Sequence, residues 1–159
     1  MEINTEHKAV FSWRTKPWLL WNYTSMKFHL ASWIIAIEFA KKIYPKVEIY
    51  TDKKWKELLS KFWYECSDEL EQLELHPWFR AWGKLLTYSL QREPFTHIDS
   101  DCFLWKPLPQ EFQECNLFTQ NEENDDWFKS AYQGQIDYMM KNNFLLPEYV
   151  RNTSIKKAS

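Results

Sequence analysis

Three short apolar runs alternate with segments of helical periodicity, and this alternation limits the folds that are open to the chain. The runs lie at residues 8–13, 47–51 and 95–99, and residues 24–44 between the first two repeat apolar side chains at helical spacing. Strand–helix–strand order favours a parallel sheet with right-handed crossovers. The sequence therefore predicts an α/β fold in which these runs are central strands of a twisted, mainly parallel sheet. We expect about four or more strands, with helices on both faces.

A chain of 159 residues is long enough for one hydrophobic core. We expect a single domain over residues 1–150 and a basic tail over residues 151–159. Further helices are predicted over residues 53–62, 78–91 and 124–142. Residues 116–120 are an additional strand candidate. Most of the 10 tryptophans are expected to serve packing, with Trp33 and Trp82 buried on helix faces.

Composition excludes several classes of function. A net charge of −2 argues against a general binder of nucleic acid or of anionic membranes. The 2 glycines lie in no glycine-rich phosphate loop, so phosphate groups would need another source of positive charge. A bound metal ion is one such source.

The predicted compartment is the cytoplasm. The 3 cysteines have no metal-binding or redox spacing, and their odd number is typical of reduced thiols. The first residues lack the basic and then apolar order of a signal peptide. No apolar run approaches the roughly 18 residues of a membrane span, so no transmembrane segment is expected.

Two acidic residues, Asp99 and Asp101, follow the third apolar run. Open α/β sheets bind ligands at the carboxyl ends of their strands, and an extended chain would point both carboxylates to the same side. A divalent cation relieves the repulsion between such carboxylates and bridges to phosphate oxygens. The alternative is that the pair marks only a loop or a helix cap. His97 would share the face of Asp99, although a strand histidine is more often a packed residue.

The segment at residues 97–109 reads HIDSDCFLWKPLP. It resembles the strand and Asp-x-Asp loop of GT-A type glycosyltransferases, most closely a poorly characterised bacterial group with a similar stretch. The resemblance extends upstream through residues 11–13, 47–52 and 81–90, and spans roughly residues 8 to 110. Only the Asp-x-Asp segment is specific to the family.

The resemblance implies a metal-dependent transfer of sugar from a nucleotide-sugar donor, with a UDP-sugar expected, to a glycan, lipid or protein acceptor. It implies that Asp101 binds the metal directly, whereas Asp99 contacts the ribose or reaches the metal through water. Mn²⁺ or Mg²⁺ suits such a hard oxygen site. The cation would act as a Lewis acid on the departing nucleoside diphosphate.

The resemblance also implies roles in donor binding at the strand ends. Ser12 and Trp13 end the first strand, where GT-A proteins receive the base, although Trp13 is equally suited to the core. Thr51 and Asp52 end the second strand and could bind the base edge, although Asp52 is as plausible as a helix cap. Lys84 would approach the donor sugar or diphosphate, with a surface lysine as the alternative.

The chain departs from the family in its length. A GT-A catalytic domain commonly exceeds it by several dozen residues, and that portion usually carries a third metal ligand, often histidine. No histidine follows His97. Three alternatives remain open: a compact or truncated transferase, a site completed by a partner chain, or a nucleotide-sugar-binding or assembly protein without turnover. Phosphoryl transfer is a further class of function, and it is less well supported because the sequence has no additional carboxylate pattern and no phosphate loop.

Overall fold

A computed structural model of the chain describes residues 7–14, 26–73, 81–115 and 126–144. Met1–Glu114 forms one compact unit and Cys115–Ser159 a second. The prediction of a single domain over residues 1–150 stays a prediction. In chain order the elements are β1 Lys8–Ser12, α1 Met26–Ile43, β2 Val47–Tyr50, α2 Lys53–Ser60, a 3₁₀ helix at Glu69–Gln72, α3 Trp82–Ser89, β3 Phe95–His97, α4 Gln110–Glu114 and α5 Asp126–Lys141.

The three strands of the described residues form one open parallel sheet in the order β2-β1-β3. Val10 lies opposite Glu48 of β2 and opposite His97 of β3, which fixes the register on both sides. The predicted α/β class is therefore confirmed at this level. Within the described residues only β1 has a strand on each side, and the expectation that the runs at β2 and β3 are also central stays a prediction. The additional strand candidate at residues 116–120 lies outside the described residues.

Successive side chains of β1 point to opposite faces of the sheet, and those of Lys8 to Phe11 are all buried. Both faces are therefore covered, and helices cover them. Ala9, Phe11 and Trp13 face α1 and α2, and they share one core cluster with Trp33 and Trp55 from those helices. The ring centroids of Trp33 and Trp55 are 5.8 Å apart in a stacked arrangement, and the Trp13 ring meets both edge-on. These large side chains fill the layer between the sheet and the helices.

The opposite face of the sheet is covered by α3. The Tyr88 ring lies 5.5 Å from the Phe95 ring and 5.1 Å from the His97 ring, measured between centroids. Gly83 and Thr87 form the buried stripe of α3. Trp82 is only half-buried, so its predicted burial is wrong. The reason is that adjacent helical residues point about 100° apart, which turns Trp82 away from the stripe.

The predicted helix boundaries hold at several points. Asp52 caps α2, since its Oδ1 accepts a hydrogen bond from the backbone N–H of Trp55 at 3.1 Å. The helix expected over residues 124–142 is α5 in the second unit, and its first two predicted residues lie outside the described ranges. Within those ranges, no helix combines the length and the apolar character that a membrane crossing requires.

Truncation of the central tryptophan should destabilise the first unit. Trp33 is 1% exposed, so Trp33→Ala should lower the free energy of unfolding by about 3–5 kcal/mol through lost burial and a new cavity. Urea unfolding followed by circular dichroism measures this loss. Phe28→Ala on the same helix is the control, because Phe28 is 71% exposed and its loss should cost less than about 0.5 kcal/mol. Equal midpoints for the two variants would contradict this account of the core.

Candidate functional site

The sheet order reverses at β1, because the chain passes from β1 to β2 on one side and later returns to β3 on the other. In open α/β sheets, ligands bind at the carboxyl ends of the strands where such a reversal occurs. Ser12 is the last residue of β1, and Asp99 follows the end of β3 by two residues. We call the residues Ser12, Lys84, His97 and Asp99 the β1–β3 site.

The four side chains of the β1–β3 site form a continuous polar chain. Ser12 Oγ lies 2.8 Å from His97 Nε2, and His97 Nδ1 lies 3.7 Å from Asp99 Oδ1. Lys84 Nζ contacts both carboxylate oxygens of Asp99, at 2.7 Å to Oδ1 and 2.9 Å to Oδ2. The fold thus brings together Ser12, Lys84 and Asp99, which the sequence predicts as ligand-binding residues.

His97 is held in its neutral form. Burial lowers the pKa of its imidazole to about 4, the Asp99 carboxylate opposes the shift and the Lys84 ammonium reinforces it. The nearby carboxylate favours the tautomer with the proton on Nδ1, because a carboxylate can only accept. Nε2 then accepts a hydrogen bond from the Ser12 hydroxyl. His97 is therefore a packed residue, as expected for a histidine on a strand, and it also orients the Ser12 hydroxyl.

The Asp-x-Asp segment is a turn. β3 ends at His97, and the backbone N–H of Cys102 donates to the carbonyl of Asp99 at 2.9 Å, which closes a four-residue turn. The expectation that an extended chain would point Asp99 and Asp101 to the same side is therefore wrong in its premise. The alternation of side chains does not continue through a turn.

The turn is fixed to α1 by one side chain. Ser32 Oγ donates to the carbonyl of Ser100 at 2.8 Å. The Asp101 side chain is exposed, and its charge counteracts the fall that burial causes in the pKa of His29. Burial together with Asp99 and Asp101 raises the pKa of the Cys102 thiol. Asp101 thus presents its carboxylate at the surface of a turn that is held by Ser32 and by the hydrogen bond between Cys102 and Asp99.

Trp13, the predicted base-stacking residue, lies in the core. Its ring centroid is 4.3 Å from that of His29, and the indole is 8% exposed. This is the packing role that the sequence leaves open as the alternative. Stacking of Trp13 on a base stays a prediction.

Thr51 and Asp52 lie at the carboxyl end of β2, on the far side of β1 from Asp99. Thr51 is fully buried, and its backbone N–H donates to the carbonyl of Ser67 at 2.8 Å. Asp52 is the cap of α2, as its alternative role requires. A contact of either residue with a base edge stays a prediction.

Arg14 is a residue that the sequence reasoning did not select. Its guanidinium Nη2 donates to the carbonyl of Leu73, and its stem passes beside Gly83, the neighbour of Lys84. Burial lowers the pKa of Arg14, while the Asp52 and Glu71 carboxylates oppose that shift. The sequence feature that could have identified Arg14 is its position directly after the first predicted strand, residues 8–13. Arg14 places a second cation near the carboxyl end of β1.

A metal ion held by the described residues would need ligands from another source as well. Across the described ranges, no three or more His, Cys, Asp or Glu side chains are grouped so that they could hold a metal. Mg²⁺ in phosphate sites is usually held by one or two carboxylates together with substrate phosphates. Lys84 contacts both oxygens of Asp99, so that carboxylate is already paired. The metal assignment stays a prediction.

Comparison with known proteins gives one match. A model for a family of unknown function (DUF6734) matches residues 15–159. No curated protein and no solved structure matches the chain. The matched region contains Lys84, His97, Asp99 and Asp101, whereas β1 precedes it.

The neutral state of His97 should make the protein less stable in acid. Its folded pKa of about 4 lies below the unfolded value near 6.5, so its contribution is present above pH 6.5 and is lost as the pH falls toward 4. The full shift corresponds to roughly 3 kcal/mol of unfolding free energy. Urea unfolding between pH 7 and pH 4 should show a shallower loss for His97→Gln than for wild type. An NMR titration that places the pKa of His97 near 6.5 would contradict this prediction.

Proposed function

We propose that the chain, which belongs to the DUF6734 family, is a metal-dependent GT-A type glycosyltransferase that moves sugar from a nucleotide-sugar donor to an acceptor. The observation that carries the proposal is the convergence of Ser12, Lys84 and Asp99 where the sheet order reverses. Parallel sheets bind nucleotides at this position. A UDP-sugar is the proposed donor, and the acceptor is a glycan, a lipid or a protein.

The residues of the site suit different parts of such a donor. The Ser12 hydroxyl donates a hydrogen bond to His97, so toward a ligand its oxygen can only accept, which suits a ribose hydroxyl or a base N–H. Lys84 carries a mobile ammonium and suits the diphosphate. Asp99 lies between Lys84 and His97, the partner of Ser12, which agrees with a contact to ribose or a contact through water.

Asp101 is the proposed direct ligand for Mn²⁺ or Mg²⁺. Its carboxylate is exposed on the anchored turn, so it can bind a cation without first being uncovered. When bound, the cation would neutralise charge on the departing nucleoside diphosphate. The chain supplies the position, because Ser32 and the turn hydrogen bond hold the backbone on both sides of Asp101.

A second candidate is a nucleotide-sugar-binding or assembly protein of the same fold that performs no transfer. It is favoured by the ion pair of Lys84 with Asp99 and by the lack of a three-ligand group in the parts of the chain that are described. A partner chain that completes the site would reconcile these observations with transfer. Hydrolysis of the donor in the absence of acceptor separates the two candidates, because only a transferase site activates the glycosidic bond.

Donor binding should depend on the cation and on Asp101 more than on Asp99. Calorimetric titration of UDP-, GDP- and CDP-sugars with and without Mn²⁺ identifies the donor. Asp101→Ala should then weaken Mn²⁺-dependent binding by about tenfold or more, since a direct ligand is lost. Asp99→Ala should weaken it less, because water can replace part of an indirect contact.

Asp68→Ala is the matched control for these titrations. Asp68 is a partly exposed carboxylate paired with Lys56 at 3.0 Å, and it follows β2 rather than β3. Its removal should leave donor affinity unchanged. If Asp101→Ala binds the donor with unchanged affinity and unchanged metal dependence, the Asp-x-Asp segment is only a turn and the proposed function fails.

A further inference from the structure

The contact between Ser12 and His97 joins a hydroxyl group to an unprotonated imidazole nitrogen. Ser12 Oγ lies 2.8 Å from His97 Nε2, and with the ring proton on Nδ1 the serine donates this hydrogen bond. A hydroxyl that donates to a neutral histidine can pass its proton to the ring as its oxygen attacks an electrophile. The pair therefore has the geometry of a serine nucleophile and its general base.

Asp99 is the third member of this arrangement. Its Oδ1 lies 3.7 Å from His97 Nδ1, which is longer than a hydrogen bond, so Asp99 acts on the ring through its charge. That charge favours the protonated ring that forms when His97 takes the serine proton. Lys84 holds both oxygens of Asp99, at 2.7 and 2.9 Å, and so keeps the carboxylate in place beside the ring. Such a series of serine, histidine and carboxylate is recognised by its geometry rather than by sequence position.

The base and the nucleophile differ in their exposure. The His97 side chain is 9% exposed and the Tyr88 ring packs edge-on against it, with 5.1 Å between ring centroids. Ser12 is only half-buried, and it lies at the carboxyl end of β1, where parallel sheets receive ligands. A ligand can therefore approach the serine oxygen, while water has little access to the nitrogen that takes its proton.

The basicity of His97 indicates which acyl compounds suit the site. Because burial lowers the pKa of the ring to about 4, His97 is unprotonated at neutral pH but is a weak base. A weak base removes the serine proton only partly during the attack. Thioesters and aryl esters react with such a nucleophile more readily than amides, because their leaving groups depart easily.

We propose that Ser12 is a nucleophile that accepts acyl groups from thioesters or aryl esters, with His97 as its general base and Asp99 as a positioning residue. Ser12 Oγ bonds to the carbonyl carbon, and its proton moves to Nε2. The bond to the leaving group breaks, and the leaving group departs with the electron pair and takes the proton from Nε2. Water then attacks the acyl-serine, which releases a carboxylic acid and restores the serine hydroxyl. This activity is separate from the glycosyltransferase proposal, because it needs neither a nucleotide nor a metal.

A fluorophosphonate probe tests the nucleophile directly, since it bonds to an activated serine oxygen and loses fluoride. Mass spectrometry of the full chain and of its peptides should find one adduct, on Ser12. Ser12→Ala should form no adduct, and His97→Gln should react about 100-fold more slowly because the general base is lost. Ser89→Ala is the matched control, because Ser89 is exposed and donates to the carbonyl of Leu86 on α3. Its rate should equal that of wild type.

The pH profile separates a chemical role from a structural one. The labelling rate of wild type should stay constant from about pH 8 to about pH 5 and fall to half near pH 4, since only the neutral His97 ring accepts a proton. Asp99→Asn should label about tenfold more slowly and shift the midpoint to lower pH, because the carboxylate that raises the pKa of His97 is gone. Asp68→Asn, a partly exposed carboxylate that follows β2, is the control and should keep the wild-type profile.

A second reagent tests acyl transfer itself. Acid quenching after exposure to p-nitrophenyl acetate should trap an acetyl group on Ser12 in wild type and in Ser89→Ala, but not in His97→Gln. The proposal is overturned if Ser12 carries no adduct while a known serine hydrolase in the same tube is labelled. Equal rates for His97→Gln and wild type, or the absence of acetyl-serine, would also reject it. Labelling of Ser12 without donor binding rejects the glycosyltransferase alone, whereas donor binding without labelling rejects the nucleophile alone.

Discussion

The hydrogen bonding of β1 to both of its neighbours determines where the other groups of the site lie. The parallel register sets Ser12 opposite Tyr50 and Val10 opposite His97, and the backbone N–H of Ile98 continues the pairing by donating to Val10. Because both sides of β1 are paired and both faces are covered, its end cannot shift without loss of many contacts. The strand register therefore places Ser12 beside the start of the Asp-x-Asp turn.

Burial then determines the protonation state of His97, which this pairing brings beside Ser12. The His97 side chain is 9% exposed, and the energy of charging it there exceeds what one nearby carboxylate returns, so the ring stays neutral. Asp99 is more exposed, at 51%, and forms an ion pair with Lys84. The result is a sequence of groups that runs from a neutral acceptor at Ser12 to a mobile cation at Lys84. Such a gradient suits a ligand that is neutral at one end and anionic at the other.

The sequence predicted the parts of this arrangement that depend on local patterns. Apolar runs and helical spacing located the strands and helices, and the residue type of Asp52 predicted a cap. The turn after β3 was only the alternative expectation, because the sequence pattern permits an extended chain equally and does not reveal the hydrogen bond from Cys102 to Asp99. The pairing of Lys84 with Asp99 joins residues 15 positions apart, and only the packing of α3 against the sheet determines it. The same tertiary context decided that Trp13 serves the core.

The contacts that define the site also determine when it can form during folding. Ser12 and His97 are 85 positions apart, and Ser32 and Ser100 are 68 positions apart. Contacts of such high sequence separation carry a large loop-closure cost and form slowly. The β1–α1–β2 unit has local connections and can assemble first, whereas the carboxylates reach their positions only when β3 docks beside β1. In a chain emerging from the ribosome, the segments that carry Trp13, Trp33 and Trp55 are therefore available before the segment that carries His97 and Asp99.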